Sequence, residues 1–139
     1  MKIIGDDAQL GLYIVKAENL QSDNEDDRQW LGVNIEALLT GFRAHFEASV
    51  RINELNLFLD SLSTALDTQQ GTVELSTVEE AINLRGTVQP TGNVTWTGVL
   101  IYPIGIGNKL HFTFSTDFYQ LQRIKDDLTR DLFIFSGYH

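Results

Sequence analysis

The chain has no cysteine, which excludes disulfide bonds, thiolate catalysis and cysteine-ligated zinc. It has no apolar run long enough to span a bilayer, and its opening, Met1-Lys2-Ile3-Ile4-Gly5-Asp6-Asp7, is no signal peptide. Basic side chains are scarce: ten lysines and arginines stand against nineteen aspartates and glutamates, for a formal charge of −9. Nucleic acids and anionic membranes are held largely by cations that neutralise phosphate, so neither is an expected partner. The expectation is a soluble cytoplasmic protein forming one domain over residues 1–139, with enough apolar content to build a core unaided.

The stretch from Trp30 to Leu66 carries the clearest pattern. Leu31, Val33, Ile35 and Ala37 share one parity. After Thr40-Gly41, Phe42, Ala44, Phe46, Ala48 and Val50 alternate with Arg43, His45, Glu47 and Ser49. Period-two alternation is a strand with one buried face, and a glycine beside a polar residue between two such runs suits a tight hairpin. The period then changes. Leu55, Phe58, Leu59, Leu62 and Leu66 recur at helical spacing, with Asn53 as the expected cap and Ile52 and Leu57 as a hydrophobic staple across it.

Further strands are expected at 10–16, at Val73 and Leu75, at 82–89, from Val94 to Tyr102, and through Leu110, Phe112 and Phe114. The polar residues 18–28 read as a mobile loop, and Pro90-Thr91-Gly92-Asn93 as a turn. A second helix is expected from Asp117, with Gln120 three residues on in the capping-box sense and Leu121, Ile124 and Leu128 as its buried stripe. The tail Leu132-Phe133-Ile134-Phe135 is apolar on both parities, fitting a short closing strand or a clasp over the core. No internal repeat is evident. Together these elements predict an α+β fold: a single, mainly antiparallel twisted sheet of about six to seven strands with two helices packed on one face.

Catalytic and metal chemistry find little footing. His45 and His111 lie on polar strand faces and His139 ends the chain; a metal site needs such residues as neighbours plus a further ligand. Asp23, Glu25 and Asp27 alternate like the start of a calcium loop, but Arg28 stands where a glycine is required and Asn34 where a bidentate glutamate is required. Gly105-Ile106-Gly107-Asn108-Lys109 precedes a strand, whereas a phosphate cradle opens a helix. Glu36 is the one acid set among strand apolar residues, and alternation puts it opposite the core. The chain is therefore read as no enzyme, with no cofactor and no metal. Trp30 and Trp96 are either partner anchors on a sheet face or covers for the ends of the core.

Several stretches together resemble one bacterial family. They are Trp30-Leu31-Gly32-Val33-Asn34-Ile35-Glu36, Gly41-Phe42-Arg43-Ala44-His45-Phe46-Glu47-Ala48, Leu55-Asn56-Leu57-Phe58-Leu59, Ile82-Asn83-Leu84-Arg85-Gly86, and Gly107-Asn108-Lys109-Leu110-His111-Phe112-Thr113-Phe114. From Trp30 to about Leu128 their order is similar to that of WapI-type immunity proteins, and the tail departs from it. The resemblance implies a small α+β antidote, encoded beside a secreted polymorphic toxin, that binds a toxin domain in the cytoplasm and blocks it. It transfers no catalytic or contact residues.

The acids are unevenly placed. Glu18, Asp23, Glu25, Asp26 and Asp27 come without an intervening base, and no lysine or arginine lies between Arg51 and Arg85. Such a field solubilises, and it also attracts a basic protein partner. The candidate partner-binding residues are thus Asp23, Glu25, Asp26 and Asp27 in the loop, with Arg43, His45, Glu47, Arg85 and His111 on the outer sheet face. The rival reading is a scaffold or binding module that self-associates, as a homodimer, through an open sheet edge or the aromatic tail.

Overall fold

Strand alternation is realised almost residue for residue, but in two ladders. The computed structural model describes residues 1–137, and His139 lies outside them. Strands β1 (Lys2–Ile4), β2 (Gln9–Ala17), β3 (Trp30–Leu39) and β4 (Phe42–Arg51) form one antiparallel sheet in chain order. Helix α1 (Ile52–Thr68) follows. Strands β5 (Thr72–Ser76), β6 (Ile82–Val88), β7 (Asn93–Tyr102) and β8 (Asn108–Asp117) form a second antiparallel sheet, also in chain order, and helix α2 (Gln120–Leu132) closes the pattern. The single sheet of six to seven strands is therefore corrected to two sheets of four. Alternation specifies which side chains of a strand face inward but not which ladder the strand joins. Turns, and between β2 and β3 the loop of residues 18–29, pair each strand with its sequence neighbour, and the 17-residue α1 carries the chain about 25 Å before β5 starts afresh.

That order is also a repeat. Four strands and a helix are followed by four strands and a helix, a duplication of topology that the amino-acid pattern does not display.

The two inner sheet faces and both helical stripes make one continuous core. Leu12, Ile35 and Phe46 stand in cross-strand register in the first sheet, as do Gly86, Trp96 and Phe114 in the second. Trp96 is fully buried and donates its indole N–H to Thr116 Oγ1 at 3.0 Å, so it belongs to the core and is no exposed partner anchor. Trp30 is half-buried, with the Arg51 guanidinium 5.8 Å from its ring centre. Helix α1 lies along β5 and against α2, and α2 reaches β1.

The helix entrances differ in detail from expectation. Arg51, not Asn53, is the residue before α1, and the Glu54 carboxylate accepts the Arg51 backbone N–H at 2.8 Å and the Val78 N–H at 2.5 Å. One side chain thus ties the helix start to the β5–β6 turn. Leu57 is exposed, so the staple does not form. The buried stripe of α1 is Leu55, Phe58, Leu62 and Ala65. Helix α2 starts three residues later than expected: Tyr119 precedes Gln120, and Asp117, at the end of β8, accepts the Gln120 N–H on Oδ1 at 3.1 Å. Of the two readings of the tail the strand is not formed: Phe133–Gly137 continues α2 as a π-helical turn, with Phe135 packed on the core as a clasp would be and Phe133 and Ile134 exposed.

Candidate interaction surface

Residues 18–29 fold on themselves. Ser22 Oγ donates to Asp27 Oδ2 at 2.9 Å, the Asn24 N–H donates to Ser22 Oγ at 3.1 Å, and the Asp26 N–H donates to Asn24 Oδ1 at 2.8 Å. The last two are the side-chain-to-backbone bonds that serine and asparagine make in turns, and the first joins two side chains. Arg28 donates to the Ser22 carbonyl at 2.6 Å, and a short 3-10 turn at Asp27–Gln29 leads into β3. Arg51 reaches over to Asp26 at 3.6 Å. Asp23, Glu25, Asp26 and Asp27 are all exposed. Among the described residues no cation stands against Asp23 or Glu25, so the segment presents fixed, largely uncompensated negative charge.

Beside it lies an open groove of about 850 Å³. Ile52 and Leu59 of α1 and Leu132 of α2 form its floor, Leu20 and Phe133 its exposed walls, and Glu25 stands on its rim. Sequence reading missed this site because it joins three distant segments. The available signals were a lone leucine in a polar stretch and a phenylalanine in a tail that is apolar on both parities.

The five outer-face residues do not share a surface. Arg43, His45 and Glu47 lie on the outer face of the first sheet, where His45 Nε2 is 3.7 Å from Glu36 Oε1 across the β3–β4 ladder. Arg85 and His111 lie on the outer face of the second sheet, among Thr97, Thr113 and Asn83, and Arg85 pairs with Glu74 at 3.4 Å. The expected common face is corrected to two, because β4 and β8 belong to different ladders.

Glu79, in the β5–β6 turn, has a displaced titration. Its carboxyl is pushed above the ordinary carboxylate range by burial, and then by the Glu18 and Glu54 carboxylates. A raised folded-state pKa means that the folded chain retains a proton that the unfolded chain has released. Stability therefore falls as pH rises from the unfolded value of 4.5 through the higher folded one, and stays lower above it. Glu79→Gln is expected to raise the melting temperature at pH 7 by about 1–2 °C and to match wild type at pH 3. A scan of melting temperature against pH checks this, and an equal gain at both pH values would refute it.

Among the described residues no group of three histidine, aspartate or glutamate side chains is arranged to hold a metal ion, and no helix is long and apolar enough to cross a membrane. The family model of WapI-like immunity proteins matches residues 2–136. The chain belongs to the WapI-like immunity protein family. The match takes in β1, β2 and nearly all of the tail, so this WapI-like chain resembles its family well beyond the Trp30-to-Leu128 stretch. No curated protein matches it significantly. Among solved structures it is similar to a chain of trypanosoma bruciei MRP1/MRP2, with a TM-score of 0.49 and 14% identity over 95% of this chain and 77% of that one. It is also similar to a chain of a guideRNA-binding protein complex bound to a gRNA, with a TM-score of 0.48 and 12% identity over 97% of this chain and 94% of that one.

Proposed function

We propose that this WapI-like chain is a non-catalytic immunity protein that neutralises a cognate toxin domain in the cytoplasm by binding it one to one. The observation that carries the reading is the family match over residues 2–136. The charge of −9 supports it further, since an acidic protein is suited to mask a basic active-site surface. The acidic loop is the first surface assigned to the contact. Arg43, His45 and Glu47 on one sheet, and Arg85 and His111 on the other, belong to separate footprints.

The test is titration of the purified chain into an activity assay of the toxin domain encoded beside it. Inhibition complete at one molar equivalent, with a 1:1 complex on size exclusion, is expected. Undiminished toxin activity in excess chain would overturn the reading, and so would inactivation at substoichiometric amounts, which signals turnover. The second reading, self-association, is favoured by the ten-residue strands β4 and β8 at sheet edges, since open edges accept further strands. A concentration-dependent dimer that binds no toxin would support it.

A further inference from the structure

We infer that the groove between the acidic loop and the two helices is where the partner docks, and that it receives an apolar side chain flanked by lysine or arginine on a protein surface. This rests on the immunity reading and adds to it a place and a chemistry. The groove's apolar walls are costly to leave wet. Leu20 is 52% exposed and Phe133 65% exposed, and both face the same cleft over Ile52, Leu59 and Leu132. Its volume, about 850 Å³, leaves room for a side chain to enter. Interfaces derive most of their energy from such an apolar centre surrounded by a polar rim.

The rim decides the occupant. Glu25 and Arg28 are the charged residues lining the groove; the loop beside it adds exposed Asp23, Asp26 and Asp27, against which the guanidinium of Arg51 is set. Both guanidiniums are already engaged, Arg28 with the Ser22 carbonyl, and Arg51 with Asp26 and the Trp30 ring. The remaining field attracts cations. It repels a second copy of this chain, which would bring its own acidic loop and a charge of −9. The loop is held by its own hydrogen bonds, so little ordering cost is incurred on binding. The outer sheet faces offer less, because they carry charge of both signs, Glu74 paired with Arg85 on one and exposed Arg43 and Glu47 on the other.

Surface-immobilised toxin domain from the adjacent gene is the probe, with association and dissociation rates followed by interferometry. The double variant Leu20→Ser with Phe133→Ser is expected to dissociate about 100-fold faster, with its association rate nearly unchanged. Asn56→Trp, which fills the groove from the exposed side of α1, is expected to weaken binding similarly without removing any apolar wall. Thr97→Ala with Thr113→Ala on the second sheet's outer face is expected to leave both rates unchanged. If wild type binds and both groove variants dissociate at its rate, or if only the threonine variant weakens, the docking assignment is overturned while the immunity reading stands. If the groove variants instead abolish a wild-type dimer, the occupant is a second copy and the inference fails. A wild-type chain that neither binds nor inhibits overturns the immunity reading, and this placement with it.

Discussion

Replacing Trp96 by alanine is expected to destabilise the fold by about 3–5 kcal/mol, measured by urea denaturation followed by far-UV circular dichroism. The indole is fully buried on the inner face of β7, between Gly86 of β6 and Phe114 of β8. It rests on Gly86 so closely that a Cβ built there would lie 2.7 Å from the ring. Removing it leaves a cavity that neighbouring strands, locked in register, close only in part. It also removes the hydrogen bond to Thr116, itself buried. Trp96→Phe keeps one six-membered ring and forfeits the fused pyrrole and its N–H, so an intermediate loss of about 2–3 kcal/mol is expected. Gly86→Ala should cost much less in the Trp96→Ala background than in wild type, because the clash has lost its partner. A Trp96→Ala variant within 1 kcal/mol of wild type would contradict this account of the core.

Local pattern made Trp96's strand legible but not its depth. The same division runs through the chain. The Thr40-Gly41 hairpin followed from alternation on either side of it, and Gly41 supplies the left-handed φ of +83° that the turn requires. Most of both helical stripes followed from spacing, although in α1 Leu59 and Leu66 are only half-buried and Ala65 joins the core, and the second helix starts at Gln120 rather than at Asp117. Whatever depends on one segment meeting another did not follow. Leu57 has helical spacing suited to a staple yet faces water, while Glu54 gains its role from Val78, in a turn that the sequence leaves unconnected to it. His111 and His45 occupy equivalent polar parities in strands of different sheets. The acidic loop was legible as charge. The groove beside it was not, because Leu20, Leu59 and Phe133 become neighbours only after both helices have packed.

Exchanging Asp23, Glu25, Asp26 and Asp27 for serine together is expected to slow association with the toxin domain about 10- to 100-fold at low salt and to change dissociation little. The four acids are exposed, so their contribution is a long-range field acting before contact. That field is screened over about 10 Å at 0.1 M salt and about 3 Å at 1 M, so variant and wild type should converge as salt is raised. Within the four, the pair Asp23 and Glu25 gives the cleaner reading. Asp26 is tied to Arg51 and Asp27 to Ser22, so removing them also loosens the loop, whereas Asp23 and Glu25 have no such ties among the described residues. Asp23→Ser with Glu25→Ser should therefore slow association while leaving the melting temperature within about 1 °C of wild type, as surface substitutions do. Stopped-flow association across a salt series separates the outcomes. Slowing that persists at 1 M salt would mean that the loop makes short-range contacts with the partner, and an unchanged rate at low salt would remove the loop from the encounter altogether.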